Sequence, residues 1–250
     1  MTVAIFIPCH LNSIRFPNKV LTKINNLEMI EHVRRRALLS KIKNVHVVTN
    51  SKKISKIILK NKGSVFISKK KHLDGSSRIN EIAVKLPYKK IILLQGDEPL
   101  ILPSYLSKLS DYQMDLKGTV LNLASKCNKK EIYDFNIVKC LVNPKMYVCQ
   151  LFRNPNDIKK IRKYSIFKIL GTMVYPKEIL NEINSNPPFL SKIEKKKSIE
   201  QIKVLKKKYK LKIVLVNKST QSINTKNDKT LVEKILKQSK HQQLLFNKIA

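Results

Sequence analysis

Apolar and polar residues follow two alternating patterns along the first hundred positions of this chain. Short continuous apolar runs have the length expected of strands that are covered on both faces. Between these runs, apolar residues recur at the helical spacing of three and four positions. The strand-like runs lie at 3–8, 44–50, 64–68 and 89–96, and the helical patterns at 28–40, 51–61 and 76–86. This alternation predicts a doubly wound α/β sheet with right-handed crossovers.

The pattern in the rest of the chain predicts a strand-rich segment, followed by a further strand and helix. The runs 135–143 and 145–152 have the pattern of a hairpin that turns at Asn143 and Pro144. Further strands are expected at 169–175 and 211–217, and helices at 190–209 and 227–238. Two local signals frame the helical pattern at 51–61, because Ser51 is a favourable N-cap and Gly63 fits a helix-ending turn.

The charge of the chain is strongly positive, with 51 Lys and Arg against 17 Asp and Glu and a net charge of +34. Such a balance is typical of proteins that bind nucleic acid or an anionic membrane surface. However, seven of the basic residues are arginine, and the lysines are spread along the whole chain. Base-reading sites favour the guanidinium fork of arginine. We therefore expect a biased composition rather than a nucleic-acid partner.

The cysteines and the N-terminal residues indicate the cellular compartment of the protein. The four cysteines are scattered, without the close spacing of a metal knuckle or a redox pair. This distribution favours reduced thiols in a cytoplasmic protein. The N-terminal run has no basic leader and no small-residue cleavage site, so no signal peptide is expected. No segment approaches the ~18–20 continuous apolar residues of a membrane span.

Two polar segments follow predicted strands and are the candidates for chemistry. The loop after the first strand contains Arg15 and Lys19 but no glycine, which excludes a Walker loop and a dinucleotide fingerprint. The segment QGDEP at 95–99 places Asp97 at the carboxyl end of another predicted strand. Doubly wound sheets bind ligands at that edge, so we expect cations and a carboxylate to meet there.

Eight segments, in order along the chain, resemble the sugar-acid cytidylyltransferase family, and within it the 3-deoxy-manno-octulosonate (Kdo) cytidylyltransferases most closely. The QGDEP pentapeptide is intact, and the opening loop carries the spaced pattern S-x-R-x-P-x-K. The other matching segments are HLDGSSRINE (72–81), NIVKC (136–140), LFRNP (151–155), LGTMVY (170–175), IEQIKVL (199–205) and INTKND (223–228). Three of the five glycines and three of the seven arginines lie within these segments.

The resemblance implies a Rossmann-like, GT-A-like nucleotidyltransferase with a mixed sheet. It implies a single domain over 1–250, in which approximately 120–180 form a small β-rich insertion for dimerisation and sugar binding. The implied reaction transfers CMP from CTP to the anomeric hydroxyl of Kdo for lipopolysaccharide biosynthesis, with Mg²⁺ as cofactor. The implied assembly is a homodimer.

The resemblance also implies roles for individual residues. Catalysis would depend on Arg15, Lys19 and Asp97, with the two cations on the β- and γ-phosphates. The metal ion would be held by Asp97 and Asn224. The nucleotide would contact Pro8, His10, Ser13, Arg15, Lys19, Gly75, Ser76 and Arg78. The sugar acid would contact Gln95, Lys139 and Glu194, with Lys139 at its carboxylate and Glu194 at its hydroxyls.

Five positions depart from the pattern of the family. His10 replaces an arginine beside the triphosphate, and Asp74 replaces a small serine. Ile169 replaces a histidine expected at the sugar, and Lys197 replaces a glutamate. Asn224 stands where a second metal-binding aspartate is expected, and its neutral carbonyl holds a hard cation less tightly than a carboxylate does. We expect the fold to tolerate these changes and the sugar specificity or the rate to respond to them.

Three functions remain compatible with the sequence. The first is active transfer of CMP to Kdo or to another 2-keto sugar acid. The second is a paralogue that binds nucleotide with weak catalysis or none, a reading that His10 and Asn224 favour. The third is a basic protein that binds RNA or a membrane surface on the same scaffold. A steep loss of binding with added salt would identify the third.

Overall fold

The structure is a computed structural model that describes residues 2–158, 165–190, 195 and 198–250. The chain divides into two compact units. The first comprises Met1–Tyr112 and Thr220–Ala250, and the second comprises Gln113–Ser219. The single domain over 1–250 and the insertion at approximately 120–180 stay predictions.

The described secondary structure follows the predicted alternation and adds several short elements. The strands are β1 (Val3–Cys9), β2 (Lys23–Ile24), β3 (Leu27–Glu28), β4 (Val45–Thr49), β5 (Ser64–Ile67), β6 (Lys90–Leu94), β7 (Thr119–Lys126), β8 (Lys139–Val142), β9 (Val148–Phe152), β10 (Ser165–Pro176) and β11 (Lys210–Val216). The helices are α1 (Met29–Leu38), α2 (Lys52–Lys60), α3 (Gly75–Ala83), α4 (Pro103–Asp111), α5 (Lys129–Tyr133), α6 (Lys177–Ser185), α7 (Ile202–Lys206), α8 (Lys226–Gln238) and α9 (Lys240–Asn247). Within the described ranges, no helix combines the length and the apolar character needed to cross a membrane.

The first unit contains a parallel sheet in the strand order β6-β1-β4-β5. All five residues of β6 are buried, as are nearly all residues of β1, because helical crossovers cover the sheet. The chain proceeds from β1 to β4 and β5 on one side, and then returns to the other side of β1 as β6. The strand order therefore reverses between β1 and β6, and a reversal of this kind opens a ligand crevice at the carboxyl ends of the two strands.

The ends of α2 show how the local sequence sets an element. The Ser51 hydroxyl accepts a hydrogen bond from the Ile54 N–H, as expected of an N-cap. At the other end, the N–H groups of Lys62 and Gly63 donate back to carbonyls of the last helical turn, which is a Schellman motif. The left-handed residue of this turn is Lys62, with φ 53°, and not Gly63. Gly63 is needed for space, since a Cβ there would lie 2.7 Å from Ile58 Cγ2.

The second unit contains a mixed sheet in the order β11-β7-β10-β8-β9. β7 pairs in parallel with β11 and antiparallel with β10. β8 pairs antiparallel with both β10 and β9, and the β8–β9 pair is the predicted hairpin around Asn143 and Pro144. With the parallel sheet of the first unit, this arrangement confirms the predicted α/β class.

The helix predicted over 190–209 is interrupted. Among the described residues of that stretch, Lys195 and α7 are helical, whereas Ser198, Glu200 and Gln201 lie in turns. Ser198 has φ 49°, a left-handed conformation that ends a right-handed helix. The lysine-rich pattern favours helix, but this backbone conformation overrides it. Residues 191–194, 196 and 197 lie outside the described residues.

Candidate functional site

The loop after β1, the segment after β6 and the segment before α8 meet at the carboxyl ends of the strands. Lys19 Nζ lies 2.6 Å from Asp97 Oδ2 and donates to the Ile223 carbonyl oxygen at 3.1 Å. The Ile223 N–H donates to the Asp97 carbonyl oxygen at 2.9 Å. Arg15 Nη2 donates to Asn224 Oδ1 at 3.1 Å. The structure thus brings together the four residues implied for phosphate and metal binding.

The β1 loop is held closed by its own backbone. The N–H groups of Ser13 and Asn18 both donate to the Leu11 carbonyl oxygen, at 2.9 and 3.0 Å. Phe16 of this loop is buried. Asn18 takes a left-handed conformation with φ 57°, after which Lys19 begins a short 3-10 turn. This geometry presents several side chains of one short loop to the strand ends.

The two neighbouring acids after β6 have different environments. The Glu98 side chain is buried and accepts a hydrogen bond from the Thr220 hydroxyl at 3.4 Å. Burial and the adjacent Asp97 charge raise the pKa of Glu98 to about 8. The Asp97 side chain is 24% exposed and faces Lys19. Asp97 is therefore the acid of this pair that can meet a ligand.

Close packing joins three of the predicted contact residues at the start of α3. A Cβ placed on Gly75 would lie 3.1 Å from Pro8 Cγ and 3.2 Å from Gln95 Nε2. A Cβ placed on Gly96 would lie 3.2 Å from the Pro8 carbonyl oxygen. Gly75 therefore lets α3 approach the strand ends, and Gly96 lets the segment after β6 approach the end of β1. Gly75 serves this packing directly, beside the surface where the nucleotide is expected.

The departure at Asp74 has a structural explanation. Asp74 is the N-cap of α3, and its Oδ1 accepts hydrogen bonds from the Ser77 N–H at 2.9 Å and the Ser76 hydroxyl at 3.1 Å. Its negative charge therefore faces the positive end of a helix. Ser76 is fully buried, and Arg78 is nearly so and donates to the Ser68 hydroxyl at 2.8 Å. These two predicted nucleotide contacts are also parts of the α3 framework.

Glu81 is a residue whose role the sequence does not reveal. Its carboxylate accepts hydrogen bonds from the N–H groups of Lys69 and Lys70, at 3.0 and 3.4 Å. It also lies 2.8 Å from His72 Nε2. Burial acts to raise the pKa of Glu81, but these donors together hold it below the ordinary value. Glu81 fixes the segment that leads into α3, and its place at the end of HLDGSSRINE is the signal that could have indicated this.

His10 lies among charges of both signs. Burial lowers the pKa of His10, and the positive charges of Arg78 and Lys19 lower it further, against an opposite effect of Asp97. The neutral imidazole is therefore favoured near pH 7. His10 can donate or accept a hydrogen bond there, but it does not add a permanent charge.

The three residues implied for binding the sugar acid do not all belong to the same unit. Gln95 lies beside Gly75 in the first unit. Lys139 is fully buried on β8 in the second unit, where its Nζ donates to the carbonyl oxygens of Asp134 at 2.7 Å and Arg153 at 2.5 Å. Burial lowers the pKa of Lys139. Glu194, like the substituted Lys197, lies outside the described residues.

The ligand atoms of this site suit a metal ion that binds together with a polyanionic substrate. Among the described residues, no cluster of three or more His, Cys, Asp or Glu could hold a metal ion. Mg²⁺ commonly takes one or two carboxylates and completes its octahedron with water and substrate phosphates. The partly exposed Asp97 carboxylate, beside the cations Arg15 and Lys19, fits such a shared site.

Comparisons with known proteins identify a family for this chain. Residues 4–163 match the cytidylyltransferase family. A 3-deoxy-manno-octulosonate cytidylyltransferase of Geotalea daltonii is 30% identical over 261 residues, which cover 96% of this chain and 99% of the relative. An 8-amino-3,8-dideoxy-manno-octulosonate cytidylyltransferase of Shewanella sp. (strain W3-18-1) is 29% identical, with coverage of 91% and 96%. The structure of a CMP:2-keto-3-deoxy-manno-octonic acid synthetase complexed with CTP superposes with a TM-score of 0.85 at 26% identity, and covers 95% of this chain and 99% of that one.

Proposed function

Since this chain belongs to the cytidylyltransferase family, we propose that it transfers CMP from CTP to the anomeric hydroxyl of 3-deoxy-D-manno-octulosonate. The chain is a nucleotidyltransferase. The observation that carries the proposal is the meeting of Lys19 and Asp97, with Arg15 on the same loop, at the strand ends of β1 and β6. Transfer of a nucleotidyl group needs neutralised charge and alignment more than covalent chemistry, and this cluster provides both.

Arg15 and Lys19 are proposed to bind the β- and γ-phosphates of CTP. The anomeric oxygen of the sugar acid forms a bond to the α-phosphorus, and the bond from that phosphorus to the β-phosphate oxygen breaks. Pyrophosphate leaves, and the hydroxyl proton is released. The two cations stabilise the negative charge that accumulates on the leaving group.

Asp97 is the proposed protein ligand of Mg²⁺. A bound ion would neutralise the triphosphate and polarise the α-phosphate. Lys19 pairs with Asp97 in the structure, so CTP binding would transfer Lys19 from the carboxylate to phosphate oxygens. Asn224, the second ligand that the resemblance implies, has its amide oxygen on Arg15.

The remaining contacts are proposed from the resemblance together with the packing described above. Gly75, Ser76 and Arg78 border the cytidine site, and Gln95, Lys139 and Glu194 contact the sugar acid. The relatives act, by their names, on Kdo or on its 8-amino analogue, so these two are the candidate acceptors. The same resemblance supports a cytoplasmic homodimer whose product serves lipopolysaccharide biosynthesis.

Pyrophosphate release from CTP and Mg²⁺ tests the proposal on purified protein. We expect release that requires Kdo, measured in parallel with the 8-amino analogue and with no acceptor. Stronger release with the analogue would assign the enzyme to that acceptor. Binding of CTP without release with either acceptor would support the non-catalytic alternative. Absence of CTP binding would refute the proposal.

The change Asp97→Asn isolates the role of the carboxylate. We expect Mg²⁺-dependent turnover to fall by at least about 100-fold, because removal of one key electrostatic group in an active site typically costs this much. The melting temperature should stay close to that of the wild type, because the Asn carbonyl still accepts from Lys19. Asp111→Asn, at an exposed acid paired with Lys41, is the matched control and should retain full activity. Turnover that survives Asp97→Asn would contradict the metal assignment.

A further inference from the structure

Three polar groups of Asn224 form hydrogen bonds within this site. Its Oδ1 accepts from Arg15 Nη2 at 3.1 Å, and its Nδ2 donates to the Ser222 hydroxyl at 3.3 Å. Its backbone N–H donates to Asp228 Oδ2 at 2.9 Å. We propose that Asn224 is a positioning residue for the phosphate-binding Arg15, and not a metal ligand in this chain. The proposal rests on the proposed function, because it concerns how the same site binds CTP.

The hydrogen bonds fix which way the amide points. A side-chain amide has an accepting oxygen and a donating nitrogen, and the two atoms are assigned from their hydrogen-bond partners. A flipped Asn224 would place its NH₂ group against the Arg15 guanidinium, where two donors would face each other. The Ser222 hydroxyl can donate or accept, so the guanidinium, which only donates, decides the orientation. The oxygen is therefore directed at Arg15.

A neutral partner suits an arginine that must change partners. Hydrogen bonds between two charged groups are roughly twice as strong as neutral ones, so a carboxylate at 224 would hold Arg15 against the incoming triphosphate. The amide orients one N–H group of the guanidinium and, being neutral itself, adds no negative charge beside it. This differs from Lys19, which forms an ion pair with Asp97.

The neighbouring carboxylate is also committed elsewhere. Asp228 Oδ2 accepts from the N–H of Thr225 at 2.8 Å and from its hydroxyl at 2.9 Å, in the capping box of α8. It accepts from the Asn224 N–H as well. Withdrawal of Asp228 to bind a metal would uncap the helix. Among the described residues of this cluster, Asp97 is the carboxylate that pairs with Lys19.

Calorimetric titration of CTP, in EDTA and in Mg²⁺, separates the two roles of Asn224. Asn224→Ala should weaken CTP binding by about 3- to 30-fold, as expected for the loss of one hydrogen bond, and by the same factor in both conditions. Asn224→Asp should weaken binding in EDTA too, because its carboxylate pairs with Arg15 and repels the triphosphate. Asn227→Ala, at an exposed position of α8, is the matched control and should bind as the wild type does.

A double-mutant cycle tests whether the effect passes through Arg15. In an Arg15→Lys background, which keeps the charge but removes the guanidinium, Asn224→Ala should change CTP affinity by less than about 2-fold. A full effect in that background would overturn the proposal. So would a loss confined to Mg²⁺, which identifies a metal ligand, or no loss in either condition. Wild-type protein that binds no CTP would instead refute the proposed function.

Discussion

His32 lies fully buried on α1, where its Nε2 hydrogen-bonds the Ile24 carbonyl oxygen at 2.8 Å and its ring stacks on Phe246. Burial lowers the pKa of His32 to about 4, and the charges of Arg36 and Arg35 contribute to the decrease, although the bond to Ile24 opposes it. The folded state therefore favours the neutral imidazole of His32. A single buried residue thus makes the stability of the first unit depend on pH.

The direction of this dependence follows from proton binding. The unfolded chain protonates His32 near pH 6.5, whereas the folded chain does so near pH 4. Between these values the unfolded state holds the extra proton, so the free energy of unfolding decreases as pH falls, by up to about 1.4 kcal/mol per pH unit. Denaturant titrations at several pH values should give a flatter dependence for His32→Gln. His241→Gln, at an exposed position, should match the wild type, and parallel curves for all three proteins would contradict the prediction.

Two glycines directly precede strands, Gly63 before β5 and Gly118 before β7. A Cβ on Gly63 would lie 2.7 Å from Ile58 Cγ2 and 2.9 Å from Arg34 Cζ. Ile58 is fully buried, and two hydrogen bonds to one carboxylate of α1 hold Arg34 in place. A Cβ on Gly118 would meet the flexible end of the Asp115 side chain at 3.0 Å. The position before β5 therefore requires glycine, whereas the position before β7 can accommodate a side chain.

The change Gly63→Ala should lower the free energy of unfolding by about 1–3 kcal/mol, because the added methyl group overpacks a site that cannot expand. Gly118→Ala should change it by less than about 1 kcal/mol, since the side chain opposite can move and the unfolded chain becomes less flexible. Equilibrium denaturation of the two variants measures the difference. Equal effects would show that the space behind α2 is not restrictive.

The sequence predicts the longer elements and the meeting of the β1 loop with Asp97. Buried parallel strands have continuous apolar runs, and parallel strands carry the residues that follow them to one edge of the sheet. Arg15 and Lys19 could therefore be placed near Asp97 from the strand pattern. That pattern does not show that Asn224 lies at the same edge of the sheet. This expectation comes from the family resemblance of the INTKND segment.

Features that depend on exact side-chain partners or on short segments are not predictable in this way. The turn between β2 and β3 has left-handed conformations at Asn25 and Asn26, and each of these strands has two residues, too few to show a period. The left-handed Ser198 lies in a sequence whose pattern favours helix. The three-way bonding of Glu81 depends on a loop backbone that no periodicity encodes.

On the scale of the whole molecule, positive residues outnumber negative ones by 51 to 17. At most one basic residue in three can therefore have an acidic partner of its own. A net charge of +34 repels itself more strongly in the compact state than in the expanded one. Electrostatic self-repulsion should thus lower the stability of the native protein at low ionic strength.

Added salt should stabilise this protein. Between about 20 and about 300 mM NaCl the screening length falls from roughly 20 Å to roughly 6 Å, so long-range repulsion weakens more than close ion pairs do. We expect the melting temperature to rise by several degrees, where about 2–4 °C corresponds to 1 kcal/mol for a chain of this size. Calorimetry at constant pH measures the change, with a neutral osmolyte of equal osmolality as control. A falling melting temperature would show that close ion pairs dominate.

The contact between Lys19 and the Ile223 carbonyl joins residues 204 positions apart, and that between Arg15 and Asn224 joins residues 209 positions apart. A ribosome that adds about 5–20 residues per second needs ~10–40 s to synthesise the intervening chain. During that time the β1 loop and Asp97 have emerged without the segment that completes their bonds. The helix α9, whose Gln242 bonds Arg36 and whose Phe246 stacks on His32, emerges later still. A nascent chain released before this return would contain the strands of the first unit without the complete site, so the capacity to bind nucleotide would be acquired only once residues 223 and 224 have emerged.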